Sequence, residues 1–175
     1  SIAVTEDTPV TRDVLSNDDD PEGDTLTIIA AKIDTDGDGN PDTLTLGTAI
    51  SITNSAGDPI GDVTVAANGD VTFEPAAEFT GSVPDLTYTP NDGTTDGSTA
   101  TVSIGSVNPV NDAPTAADDV DNTDEDSSIS RDAANGVIPN DTDPDTSDVL
   151  TVDQVDGDGA NVATAVSGDN GGQFT

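Results

Sequence analysis

Short runs in which apolar and polar residues alternate recur along the chain, separated by clusters of Gly, Pro, Asn and Asp. Alternation with a period of two turns one face of an extended segment to a core and the other to water. It predicts strands over residues 1–4, 10–15, 26–33, 43–53, 60–66, 70–74, 85–89 and 98–107. The strongest is the run over 26–33, Leu-Thr-Ile-Ile-Ala-Ala-Lys-Ile. Asn68-Gly69 sits between two runs and is the dipeptide that best suits a tight hairpin turn. Gly81, Pro90-Asn91-Asp92-Gly93 and Asp96-Gly97 punctuate the remainder, and nothing carries a helical period. About eight short strands with turn signals roughly every 8–12 residues predict an all-β fold, an antiparallel β-sandwich.

The pattern also repeats. Glu6-Asp7 and Arg12-Asp13 recur as Glu125-Asp126 and Arg131-Asp132. Asn17-Asp18 and Asp20-Pro21 recur as Asn140-Asp141 and Asp143-Pro144, and Asp24 and Leu26-Thr27 as Asp148 and Leu150-Thr151. The extra residues of the second copy fall at Ala133–Gly136 and in the turn 145–147, where a shared fold tolerates insertion. The chain therefore reads as a nearly complete repeat over 1–107, a joint over 108–114 and a second, incomplete repeat over 115–175. By the same alignment, the first copy lacks the joint that should precede Ser1. The joint reads Asn-Pro-Val-Asn-Asp-Ala-Pro, and its two prolines hold the preceding residues extended, which makes it a stiff spacer.

Charge narrows the function. The chain has 36 acidic residues and 3 basic ones, a formal net charge of −33, which repels nucleic acid and anionic lipid. Low hydrophobicity with high charge is also a signature of disorder. The alternating β-branched runs and the clustering of Asp at fixed loop spacings argue for a fold instead. No cysteine or histidine is present, so disulfides, thiolate metal sites and a histidine base are excluded. The absence of methionine marks the sequence as an excerpt or a processed piece of a longer chain. No apolar run approaches the ~20 residues of a membrane span. With Phe73, Phe79, Tyr88 and Phe174 as its aromatics, the core must rest on small β-branched residues, and such a core leans on something besides its packing.

The acids point to a hard cation. Two carboxylates about 4 Å apart repel by roughly 4 kcal/mol at an effective dielectric near 20, so acids that converge imply a cation between them. Asp18 and Asp20 with Asp24, and Asp141 and Asp143 with Asp148, are two copies of one acidic turn. Asp34-x-Asp36-x-Asp38-Gly39 with Asp42 matches the first part of an EF-hand-type loop, with the glycine at its sharp turn. Its twelfth position is Thr45 in place of the bidentate Glu, and no helices flank it. The second copy keeps only Asp156-Gly157-Asp158-Gly159 of that loop. Asn111 and Asp112 place further oxygens on the joint. Oxygen-only donors of this kind suit Ca2+, which takes about 6–8 oxygens at ~2.3–2.6 Å.

Taken together, the Glu-Asp near a repeat start, Asn-Asp-x-Asp-Pro before a strand, Asn-Gly-x-Val-Thr-Phe, Asn-Asp-Gly and the closing Asn-Pro-Val-Asn-Asp-Ala-Pro resemble the cadherin-like tandem repeats of giant bacterial (RTX-type) surface adhesins. The tail from Ser167 to Thr175 resembles related repeats of such adhesins. The resemblance implies Ig-like/cadherin-like antiparallel β-sandwich repeats in tandem, with calcium at the joints stiffening a stalk exported by a type I system. It implies that Glu6 and Glu125 are the early acidic ligands. It implies also that Asn111 and Asp112 share ions with Asp141 and Asp143.

The expected function is that of a calcium-rigidified extender repeat of a large secreted or cell-surface adhesin, serving cell adhesion and biofilm. Its expected partners are neighbouring repeats of the same chain, with no nucleic acid and no membrane insertion. An alternative is a subunit of an extracellular filament assembled by strand exchange between neighbouring chains, motivated by the half-built second repeat. Carbohydrate binding would need an aromatic platform, for which only Phe79 and Tyr88 are candidates. No enzymatic role is expected, because paired catalytic acids need an apolar or aromatic cleft. Asn140-Asp141-Thr142 is a glycosylation sequon by pattern but reads as ligand-loop sequence, and Arg12 and Arg131 as partners of nearby carboxylates.

Overall fold

The computed structural model describes residues 4–122, 124, 126–131, 134–154, 166–167 and 173–174. The chain divides into two compact units, Ser1–Val110 and Asn111–Thr175. The alternating runs of the first unit become eleven strands: β1 (Val4–Thr5), β2 (Val10–Asp13), β3 (Thr27–Ile33), β4 (Asp42–Thr43), β5 (Ile50–Thr53), β6 (Pro59–Val65), β7 (Asp70–Pro75), β8 (Gly81–Val83), β9 (Leu86–Asn91), β10 (Ala100–Val102) and β11 (Gly105–Asn108). The described residues contain no helix.

Two four-stranded antiparallel sheets, in the orders β10-β9-β3-β4 and β2-β7-β6-β5, supply a single buried core. From the first come Ile28, Ile33 and Leu86, and from the second Ile52, Val63, Val65 and Phe73, each 2 % exposed or less. Phe73 pairs with Val10 on one side and Val63 on the other, and its ring lies over Gly61. Tyr88 on β9 reaches across the core, and its hydroxyl donates to the Val14 carbonyl beyond the end of β2, 3.0 Å away. The fold is the all-β sandwich that the alternation predicts, and of the Ig-like kind that the resemblance implies.

Details depart from the sequence reading for identifiable reasons. The run over 43–53 is two strands, β4 and β5, in different sheets. Gly47 takes φ 75° there and donates to the Val65 carbonyl, which ends the extended path. The run over 98–107 also divides. Its first part pairs with β9 and its second with β8, and the chain changes sheet at Ser103 and the fully buried Ile104. Strand β8 was not predicted, because Gly-Ser-Val offers one apolar residue between a glycine and a proline. A register shift at Ile28/Ala30 turns Ile29 outward, 45 % exposed, which explains how two adjacent isoleucines fit one strand.

A third sheet, in the order β1-β11-β8, carries the one parallel pairing among the described strands. Val4 lies opposite Val107 and Thr5 opposite Asn108.

In the second unit, Thr115 and Thr142 form an isolated bridge, and β12 (Val166–Ser167) pairs antiparallel with β13 (Gln173–Phe174). Val120, Val137 and Val149 are 86 %, 54 % and 85 % exposed. The positions Ser1–Ala3, Glu125, Asp132, Ala133, 156–159 and, in the tail, 168–172 and 175 named above lie outside the described residues.

Candidate metal centres

The acidic loop between β3 and β4 is a hairpin loop that closes where Ile33 pairs with Asp42. Its carboxylates turn inward because the backbone N–H groups of the loop need acceptors. Asp34 accepts from Gly37 and Gly39, each at 2.8 Å, one with either carboxylate oxygen. Gly37 and Gly39 adopt φ 71° and 87°, and a Cβ on Gly37 would lie 2.3 Å from the Ser55 nitrogen, so only glycine fits where the loop rests on the following turn. The result brings carboxylate oxygens of Asp34, Asp36 and Asp42 within 4.8 Å of one another. Asp38 stands outside that group, its Oδ1 accepting from Asn40 N–H at 2.7 Å. Thr45 lies beyond β4 and is exposed. The Thr35 hydroxyl and then the Thr35 N–H, both donated to Asp42, hold its carboxyl below the usual carboxylate range.

The two copies of the acidic turn differ. In the first, Asp20 Oδ1 accepts from Glu22 and Asp24 N–H at 3.0 and 2.9 Å, which shapes the turn around one carboxylate. Asp18 leaves that turn and takes the Tyr88 hydroxyl at 2.7 Å. Asp18, Asp20 and Glu22 instead line an open cleft of about 520 Å³ whose other wall carries Asp92 and Asp96. Asp92 is held below the usual range by the N–H groups of Thr95 and Thr94 and then by the Thr94 hydroxyl. In the second copy, Asp143, Asp145 and Asp148 converge within 4.8 Å, while Asp141 turns aside to accept from Ala117 N–H at 2.9 Å. Asp145 stands where the first copy has Glu22. The repeat does not single Asp145 out, because it falls in the turn with the insertion.

The joint residues meet this second acidic turn. Asp112 donates its N–H to Asp145 Oδ2 at 2.7 Å, and Thr115 and Thr142 exchange both of their backbone bonds. Asn111 uses its side-chain amide on the Asp112 carbonyl. Residues 111–117 are thus laid along the 141–145 turn, with Asp145 holding the Asp112 N–H and Asp141 the Ala117 N–H.

Glu6 is 2 % exposed, and its Oε1 accepts the Val110 N–H at 2.6 Å. Asp7 and Glu78, both at φ 58°, bring carboxylate oxygens within 4.8 Å, a pairing of acids that the sequence did not suggest. Arg131 forms an ion pair with Asp121 at 2.6 Å, whereas Arg12 is in no ion pair among the described residues. Tyr88 is 3 % exposed, so it cannot serve a sugar platform.

Three carboxylates in each of the two convergent groups fit a hard divalent cation. They supply part of a 6–8 oxygen shell and leave the rest to carbonyls and water. Asp34 Oδ1 accepts from both Gly37 and Asp36 N–H, while Oδ2 accepts from Gly39 alone and keeps a lone pair for a cation.

Residues 28–105 match the family model of the bacterial Ig domain. The matched stretch runs from β3 to the first residue of β11, so it takes in most of both large sheets. Bacterial Ig domains occur in surface or extracellular proteins and are typically structural, non-enzymatic modules. The match supports a repeat of the surface-protein extender or adhesion type. No curated protein and no solved structure matches the chain. No helix of the described residues is long and apolar enough to cross a membrane.

Proposed function

We propose that the chain is an extender segment of a cell-surface adhesin whose acidic turns take Ca2+ and stiffen the stalk. The observation that carries this reading is the convergence of Asp143, Asp145 and Asp148 on the turn that already holds Asp112 by its N–H. An ion there would fasten residues 111–117 to their own unit, and one at Asp34, Asp36 and Asp42 would fasten the β3–β4 loop. Binding to the folded state adds RT ln(1+[L]/Kd), about 2.7 kcal/mol at a hundredfold excess over Kd. Affinities of ~10⁻⁴–10⁻³ M, usual for extracellular modules, would tie rigidity to the medium outside the cell. The bacterial Ig match over 28–105 supports the extracellular setting, with neighbouring repeats as the partners and cell adhesion or biofilm as the role.

A calcium titration followed by circular dichroism and calorimetry, with Mg2+ as control, tests the reading. The expected outcome is a rise in melting temperature that saturates in the millimolar range and is reversed by chelation. An unchanged melting temperature with and without chelator would remove the calcium role. A second reading is a filament subunit assembled by strand exchange between neighbouring chains, favoured by the short pairings of the second unit's described strands. Electron microscopy of the polypeptide alone separates the two, since persistent monomers remove the filament.

A further inference from the structure

We infer that the β1–β11 pair of the first unit is a force-bearing clamp, placed so that tension along the chain loads all of its hydrogen bonds at once. The two strands are the first and last of the unit and run parallel. A pull transmitted by the chain enters at the start of β1 and leaves at the end of β11. In a parallel pair those points lie at opposite ends, so the strands must slide past each other and every rung resists together. In an antiparallel pair the same two points lie at one end, and the rungs open one after another.

The rungs extend beyond the two paired positions. Glu6 N–H donates to the Asn108 carbonyl at 3.0 Å, Asn108 Nδ2 donates to the Val4 carbonyl at 3.0 Å, and Val110 N–H donates to Glu6 Oε1 at 2.6 Å. The Glu6 side chain thus lengthens a two-residue ladder past its backbone end. Val4 and Val107 are 2 % and 3 % exposed and Glu6 is 2 % exposed, which shields one side of the ladder from water, while Asn108 and Val110 leave its other side open. Strand β8, antiparallel to β11 on its far side, keeps the clamp inside a sheet. The inference concerns the first unit and stands on its own strands. It gives the extender reading a mechanical element that needs no cation.

Single-molecule force spectroscopy on the full chain tests it. The chain has no cysteine, so introduced cysteines define the points of pulling without ambiguity. Pulling on a Ser1→Cys, Val110→Cys variant shears β1 against β11. Pulling on Thr80→Cys, Val110→Cys opens β8 from β11 at one end, because Gly81 lies opposite Val107. Forced unfolding reports the unfolding rate, and the expected result is an unfolding force at least about twofold higher for the shear pair at equal loading rate. Equal or lower force for the shear pair overturns the inference, and both variants are first shown to be folded by circular dichroism. Glu6→Ala should lower the shear force and leave the Thr80–Val110 force unchanged. If it lowers neither, Glu6 is not a rung. All pulls are made with Ca2+ and with chelator. A difference between geometries that survives chelation supports the clamp even if the calcium reading fails. A calcium-dependent melting temperature with no difference between geometries leaves the calcium reading standing and removes the clamp.

Discussion

Single residues of this chain carry conflicting chemistry, and the surroundings decide which wins. Glu6 illustrates it. The resemblance implies an early metal ligand here, and the fold buries Glu6 to 2 % exposure with Oε1 accepting a backbone N–H. Tyr88 is the one tyrosine, and its hydroxyl faces both the Val14 carbonyl and the Asp18 carboxylate. Burial first, and then the hydrogen bond to Asp18, push the phenol well above its ordinary pKa of 10.0. The fold holds the neutral form, so this stabilisation is complete below pH about 10 and is lost as pH rises beyond it. A pH series of thermal unfolding should show the decline, and Tyr88→Phe should abolish it while costing about 0.5–1.5 kcal/mol at neutral pH. Phe73→Ala should cost about 3–5 kcal/mol in chemical denaturation, because the ring fills the space between the sheets and over Gly61. Gly61→Ala should cost about 1–3 kcal/mol, since its Cβ would meet the Glu74 carbonyl at 2.4 Å and the Phe73 ring at 2.9 Å.

At the scale of elements, the loops behave as tightly as the strands. The 34–42 loop turns its acids inward to satisfy its own N–H groups. Asp42 and Asp92 both have lowered pKa values, from hydrogen bonds to Thr35 and to Thr95 and Thr94. Their contribution is present above the ordinary value of 3.8 and is lost as pH falls through the lower folded value. Asp42→Asn should therefore flatten the acid limb of the stability curve, and calcium added to that variant should raise the melting temperature less than in the parent. Much of this level was legible beforehand. The run ending at Ile33 and the Asn68-Gly69 hairpin were plain, because alternation and φ > 0 tolerance are local properties. The splitting of 43–53 was not, because Gly47 ends that strand through a bond to distant Val65. Nor was the sharing of duties among acids, in which Asp18 serves Tyr88, Asp141 serves Ala117 and Asp145 joins Asp143 and Asp148. Those choices depend on which N–H or O–H each carboxylate can reach.

For the whole molecule, the first unit has a core and a tether between its sheets, while the described part of the second has one isolated bridge, one short hairpin and several acids drawn together. Cation binding should therefore matter more to the second unit. Hydrogen exchange with and without Ca2+ should show protection gained chiefly over residues 111–150, with little change over β3, β6, β7 and β9. Uniform gain across the chain would contradict that division. The net charge of −33 sharpens the expectation, because removing the ion leaves repulsion among the acids drawn together there. The parallel pairing of β1 with β11 also bears on how such a chain changes over generations. A unit that receives its chain at one end of a strand pair and releases it at the other can be duplicated head to tail, and each new copy lengthens the product without redesign of the old ones. Reach then becomes a matter of copy number, adjustable by recombination.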